Sequence, residues 1–468
     1  MKSQTIKLFS PIIVLLILWF IPAPQGLSQE GWHFLAIFFA VVVGLIIEPV
    51  PAALVGFAGV SLVAILGLVG NSKESITWAL SGFSNSVIWL IFAAFMFALG
   101  YKKTGLGKRV SLIMIKYMGK SSLGLGYAVA FSDLILSPFM PSNTARSAGT
   151  IYPVASNIPL IFDSTPEHEP RKLGAYISWV AIATTCVTSS MFLTALAPNL
   201  LAVDLINQGT GHMISWGAWA SIMLPLMIPL FLLTPWLVYV IYPPTQKKSP
   251  EAPAWAAEEL KKLGKITPKE LLMAGLAVVA LMLWIFSKEL GIDSTTTAIS
   301  VVSIMVLANV ITWDDVISNK AAFNVLIWFA SLVAMAAGLK NVGVLTWIGN
   351  STQTYLSGLT PTMLIISMLV LFFVLHYFFA STTAHTTALM PIFLAIAVNL
   401  MTPEQLIPFS ILLAGSLGVM GIITPYATGP SPIWYGAGYI SQGRWWALGA
   451  IFGALYLVAI IIGGLIFI

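Results

Sequence analysis

Residues 141–153 read PSNTARSAGTIYP, and residues 380–391 read ASTTAHTTALMP. Each run sets three hydrogen-bonding side chains ahead of a residue able to carry positive charge. The first has Ser142, Asn143 and Thr144 before Arg146; the second has Ser381, Thr382 and Thr383 before His385. Hydroxyls and the Asn amide donate hydrogen bonds. Each run also precedes an expected helix start, whose free N–H groups and dipole favour an anion. A single hydroxyl cluster means little, because such groups commonly bond the preceding helical turn. Two at matching places, facing each other, suit a molecule with a carboxylate at each end.

The elements that hold these runs lie in lipid. Hydrophobic residues make up 58% of the 468-residue chain and charged residues 8%, against about a quarter charged in a soluble domain. Such a chain is an integral membrane protein. Apolar stretches at 32–47, 51–69, 217–242, 269–286, 295–312 and 443–468 are sized for a bilayer core of about 30 Å. Alternating barrel strands are missing. The expected class is therefore an all-α polytopic membrane protein with about 11 transmembrane helices plus two re-entrant hairpins. The N-terminal apolar segment reads as a first crossing and not a cleaved leader. Lone Cys186 excludes an intramolecular disulfide framework. The 22 Lys+Arg against 17 Asp+Glu set orientation and imply no nucleic acid. Trp32, Trp216, Trp255, Trp313, Trp445 and Trp446 read as anchors at the membrane interface.

The chain repeats itself. WLIFAAFMFALGYKKTGL at 89–106 and WFASLVAMAAGLKNVGV at 328–344 both end in Gly, a short polar turn and Gly again. In each case an apolar arm follows and ends in one of the polar runs. Lys102, Lys103, Lys108, Arg109, Lys116 and Lys120 follow the first copy, whereas only Lys340 follows the second. By the positive-inside rule the two copies face opposite sides, and inverted repeats meeting near the midplane are a transporter architecture. The expected division has first-half scaffold helices and a basic arm at 1–120. A first hairpin, broken helix and following helix occupy 121–242, and a cytoplasmic linker 243–268. Second-half scaffold helices and their arm span 269–358, and the second hairpin, broken helix and last helix 359–468. Such a chain is a multi-pass protein of the cell membrane with its N-terminus cytoplasmic and its C-terminus outside.

Arm geometry suggests re-entrance. Residues 386–400 form about 22 Å of helix at ~1.5 Å per residue, short of the hydrocarbon thickness. Residues 147–162 carry Tyr152, Ser156, Asn157 and two prolines, a poor lipid-facing span. Each half also holds an interrupted helix. The first, over 188–202, contains Thr194 and breaks near Pro198 and Asn199; the second, over 418–436, breaks at Thr424-Pro425 and Gly429-Pro430. Proline and glycine there free backbone groups beside the tips.

These motifs resemble the divalent anion/sodium symporter family, over most of the chain. SNTA at 142–145, APN at 197–199 and TP at 424–425 stand where that family's motifs fall. PSNTARSAGTIYP, SSMFLTALAP and ITPYATGPSP are similar to its di-/tricarboxylate exchanger branch, whose members carry citrate, tartrate, succinate, malate or 2-oxoglutarate. The resemblance implies a homodimer with a fixed scaffold and an elevator-like transport domain. It also implies substrate contacts at both tips and at Thr424. Sodium-coupled members have SNTAT at both tips, whereas here the fifth positions are Arg146 and His385, which implies no sodium cofactor.

An isolated charge inside a membrane costs about 3 kcal/mol or more, and arginine stays protonated. Arg146 and His385 are thus expected to act as fixed cations that offset a bound dicarboxylate and move only when paired with it. The expected function is a sodium-independent antiporter of C4–C6 di- and tricarboxylates; the alternative is a sodium-coupled dicarboxylate symporter. No His-Glu-x-x-His pair, Walker loop or G-x-S-x-G turn points to an enzyme.

Overall fold

The computed structural model describes residues 2–356 and 358–468. Ten of its helices are long and apolar enough to cross a membrane. The first half contains α1 (Lys2–Trp19), α2 (Gln29–Ile47), α3 (Ala52–Ile65), α4 (Ser72–Leu80), α5 (Ser86–Thr104), α6 (Leu106–Met118) and α7 (Ser122–Leu136). It continues with α8 (Gly174–Met191), α9 (Ala197–Thr210) and α10 (Trp216–Ile241). A linker helix α11 (Glu251–Leu263) leads to α12 (Pro268–Ile285), α13 (Ser294–Leu307), α14 (Lys320–Asn341) and α15 (Val344–Leu356). The chain closes with α16 (Pro361–Leu375), α17 (Thr382–Leu400), α18 (Pro403–Val419) and α19 (Gln442–Phe467).

The apolar segments expected from composition are helices α2, α3, α10, α12, α13 and α19. Their starts are written locally. Asn85 caps α5 by accepting from Val87 N–H, and Ser121 caps α7 by accepting from Gly124 N–H. Thr267 and Glu270 form a capping box on α12, which satisfies two otherwise free donors. Gly105, at φ 77°, turns the chain from α5 into α6, a left-handed conformation that glycine adopts at no steric cost.

Helix α8 is buried at every residue from Gly174 to Met191, so it stands at the centre of the packing. Its lower half, TTCVTSS, is too polar for a lipid-facing span, and those hydroxyls turn out to have internal partners. Two of the expected interfacial tryptophans are also interior. Trp445 is fully buried and packs edge-on against Trp179 at 5.0 Å, while Trp216 stacks on Phe192. Trp313 is exposed, as an anchor should be.

The segment 243–268 is tied down along its length. Arg109 on α6 forks onto Glu270, with Nε–Oε1 at 2.7 Å, and donates to the Gly264 carbonyl. Ser249 donates to the Gly119 carbonyl, and Ser122 N–H donates to the Lys247 carbonyl. The linker is thus bound to the start of the first arm.

Candidate functional site

The first polar run forms a break in the chain's helical path. Helix α7 ends at Leu136, a tight turn covers Ser137–Phe139, and Met140 is extended (φ −126°, ψ 91°). The chain then winds into a π-helical stretch, Thr144–Ile151, a form that is rare and frequent at functional sites. Ser142 accepts from Ala145 N–H at 3.2 Å. The second run is a helix start. Ser381 is extended and caps α17, accepting from Ala384 N–H at 3.4 Å. Thr382 and Thr383 occupy the first turn, where backbone N–H groups have no intrahelical acceptor.

That start differs from expectation. Helix α17 begins at Thr382 and has 19 residues, or about 28 Å at ~1.5 Å per residue, so the tip is part of the helix. Both α16 with its terminal turn and α17 are long and apolar enough to cross a membrane. The second arm is thus four residues longer than the 386–400 stretch read from the sequence. The irregularity expected over 147–162 is present: the π-helical stretch gives way to a single helical turn at Tyr152–Ala155 and a 3-10 turn at Pro159–Phe162.

The two tips meet. Ser142, Asn143 and Thr144 share one cavity of about 310 Å³ with Ser381, Thr382 and Thr383. Pro198, Gly429, Phe95, Trp328 and Glu48 are among its other wall residues. Its size falls within the range of small-molecule sites, about 300–1,000 Å³. Among the described residues the hydroxyls of Thr144, Thr382 and Thr383 have no partner within the protein. They are the free donors of the site. A second cavity of about 440 Å³ adjoins the first, sharing Phe95, Ser142 and Thr144, and reaches Lys102.

The interrupted helices brace this arrangement. Between α8 and α9 the chain is extended at Phe192 and Leu196. Pro198 lies in the first turn of α9, a position where the missing N–H is not needed. It starts the second helix and does not break the first. Asn199 donates to the Ser189 carbonyl at 2.7 Å, stitching the corner from behind. Thr194 donates to the Pro138 carbonyl at 2.6 Å. In the other half, the break over 423–430 crosses tip 1. Thr428 accepts from the Asn143 amide at 2.8 Å, and a Cβ placed on Gly429 would lie 1.8 Å from Thr144 Oγ1. Only glycine permits that approach. Thr424 is fully buried and its hydroxyl accepts from Tyr426 N–H at 3.3 Å. Neither Thr424 nor Pro425 reaches the cavity wall, nor do Thr194 and Asn199. The direct substrate contact expected of Thr424 is not provided by this geometry.

Neither of the two expected cations lines the cavity. Arg146 is fully buried and lines neither cavity. Its Nε donates to Asp133 Oδ2 at 3.1 Å, and Nη1 donates at 2.8 Å to the carbonyls of both Met140 and Ala195. Nη2 reaches Thr185, Thr188 and Ser189 on α8. Asp133 in turn accepts from Thr185 and Thr188. The guanidinium charge is thus paired before any substrate arrives. Its geometric effect is to hold the turn before tip 1 against the break before α9.

His385 is likewise buried and off the cavity wall. Phe372, Phe379 and His376 surround it edge-on, at centroid distances of 4.4, 5.0 and 5.0 Å. Neither ring nitrogen has a hydrogen-bond partner among the described residues, and no carboxylate pairs with it. His376 bonds the Ala427 carbonyl at 2.9 Å, joining the second arm to the break at 423–430. The hydroxyls on α8 are the participants that sequence reasoning missed. The TTCVTSS run at 184–190, polar at helical spacing in an apolar context, was the available signal.

The family description "Sodium:sulfate symporter transmembrane region" matches residues 2–468. The chain belongs to that family. It is 48% identical over 475 residues to the L-tartrate/succinate antiporter of Escherichia coli (strain K12), covering 98% of this chain and 97% of that one. The L-tartrate/succinate antiporter of Shigella flexneri matches with the same identity and coverage. Among solved structures, the Alcanivorax borkumensis YdaH transporter aligns with a TM-score of 0.59 at 14% identity, over 94% of this chain and 98% of that one. Neisseria gonorrhoeae MtrF aligns with a TM-score of 0.59 at 14% identity, over 97% of each chain. Those two likenesses concern the fold alone: an all-helical, polytopic membrane fold.

Proposed function

We propose that the protein is a sodium-independent antiporter that exchanges dicarboxylates of the succinate and tartrate class, extending to malate, 2-oxoglutarate and citrate. The observation that carries this reading is the single cavity formed by both polar tips, in a chain 48% identical to antiporters named for L-tartrate and succinate. Ser142, Asn143 and Thr144 take one carboxylate, and Ser381, Thr382 and Thr383 take the other. The N–H groups at the start of α17 add donors that favour negative charge.

Obligate exchange follows from those donors. With no cation on the wall, charge is balanced by several hydroxyl and N–H dipoles aimed at the acid. Water satisfies them while the cavity is open. Carrying them empty through a closed, low-dielectric state leaves each unpaired, at about 1–3 kcal/mol apiece. Only the loaded site moves. Arg146 and His385 contribute by position: Arg146 is paired with Asp133 and His385 is enclosed by Phe372, Phe379 and His376, behind the tips. In this reading the hairpins, broken helices, α10 and α19 travel as a unit against the remaining helices, in an elevator motion. The protein is then a homodimer in the cell membrane, basic loops cytoplasmic and C-terminus outside.

The test is exchange in proteoliposomes. Vesicles preloaded with succinate take up labelled succinate or tartrate, with equal rates in sodium and choline buffers, and empty vesicles take up almost none. A sodium gradient driving uptake into empty vesicles would establish the symporter instead.

A further inference from the structure

Among the described residues, Glu48 is the one titratable residue on the cavity wall. It follows α2 in the sequence IIEPVP, where Pro49 and Pro51 fix the corner into α3. Its backbone lies in the left-handed region, at φ 49° and ψ 55°. Glycine or asparagine adopts that conformation more readily than a residue with a longer side chain. Three other non-glycine residues share it, Asp163, Glu169 and Asn309, and none of them borders the cavity. Strain of this kind, kept at a site, points to use of the side chain. Glu48 is exposed, and its carboxylate has neither an ion-pair nor a hydrogen-bond partner among the described residues.

An unpaired carboxylate is out of place in a site for acids unless the substrate supplies what it accepts. An ionised carboxylate is acceptor-only. It lines the same cavity as both tips and belongs to neither, so with one substrate carboxylate at each tip it is left free for a group on the carbons between them. A hydroxyl there donates a charge-assisted hydrogen bond, which is roughly twice as strong as a neutral one. A third carboxylate there meets like charge. We infer that Glu48 is a specificity-determining residue: its carboxylate accepts hydrogen bonds from hydroxyls on the middle carbons of a dicarboxylate and repels a third carboxylate. The inference rests on the exchanger reading above and adds to it a ranking within the substrate class: hydroxylated dicarboxylates ahead of succinate, and tricarboxylates last.

The experiment uses the full-length protein in succinate-loaded proteoliposomes at neutral pH. Unlabelled succinate, malate, tartrate and citrate compete against labelled succinate uptake. In the wild type, inhibition strengthens from succinate to malate to tartrate, and citrate inhibits weakly. In Glu48→Gln the tartrate-to-succinate preference falls about tenfold, and citrate and succinate both compete better. Glu48→Gly relieves the left-handed backbone and behaves in the same direction, so a loss of selectivity in both is not a folding defect. The inference is overturned if the preference order stays within twofold in both variants, or if the wild type does not favour hydroxylated acids. It is equally overturned if both variants fold but exchange nothing. Wild-type vesicles that exchange none of the four acids refute the exchanger reading itself, which separates the two failures.

Discussion

Arg146 Nε lies 3.1 Å from Asp133 Oδ2, thirteen residues earlier in the chain. Thirteen residues before His385 stands Phe372, whose ring meets the imidazole edge-on at 4.4 Å. The same two positions of the repeated hairpin therefore hold an ion pair in one half and an aromatic pair in the other. Both pairs are buried and both lie behind a tip. Breaking a buried ion pair by removing one partner costs about 3–5 kcal/mol, whereas replacing both with packed uncharged groups is often neutral. Asp133→Asn and Arg146→Gln should each lower the unfolding temperature of the purified protein strongly. The double substitution Asp133→Phe with Arg146→His, which writes the second hairpin's pair into the first, should recover at least half of that loss. A double variant no more stable than either single one would show that Arg146 acts through its carbonyl contacts to Met140 and Ala195 instead.

The tips were legible because their chemistry is local: hydroxyls and an amide in an apolar context, twice, at one spacing. Their meeting at one cavity was legible only as a consequence of the repeat. The role of Arg146 was not, because its partner Asp133 sits on the other arm and its remaining acceptors are two carbonyls and a helix far along the chain. Sequence alone shows a cation near a tip and leaves open which way it points. Glu48 went unseen for a related reason. It separates two apolar stretches like any interfacial charge, and only packing carries it to the cavity. The start of α17 was misplaced because threonines read as a turn, although Ser381 is a sound helix cap.

Gly429 sits where a side chain would collide with Thr144. Overpacking of this kind costs about 1–3 kcal/mol, here at the expense of the tip's position. Gly429→Ala should raise the apparent KM for exchanged dicarboxylate roughly tenfold. With Thr144→Ala already in place the added methyl has room, so the double variant should transport no worse than Thr144→Ala alone. Additive losses would place the effect of Gly429 elsewhere, since residues that share a contact are the ones expected to couple.

Place on the cavity wall separates Thr383 from Thr424, although both have little exposed surface. Native Cys186 is fully buried, so background labelling by a hydrophilic maleimide should be slight. Thr383→Cys should label, and succinate should protect it. Thr424→Cys, off the cavity wall, should stay unlabelled whether substrate is present or not. Labelling of both at similar rates would mean that the break at 423–430 faces the substrate after all.

Asp315 lies in a short helix outside the spans, where Lys103 donates to its carboxylate at 2.5 Å. That bond, followed by those from the Thr312 backbone and hydroxyl, holds its pKa down to about 2. A carboxyl depressed in the folded state stabilises fully above its unfolded value, about 3.9, and loses that contribution as pH falls towards 2. Between pH 5 and 8 the pair is constant. Wild type and Asp315→Asn should therefore differ in unfolding temperature by a fixed offset over that range and converge only below about pH 4. An offset that changes between pH 5 and 8 would require another titrating group in contact with this corner. Transport that sharpens or fades across the same range, in both proteins alike, must then be traced to the cavity or to the ionisation of the acid itself.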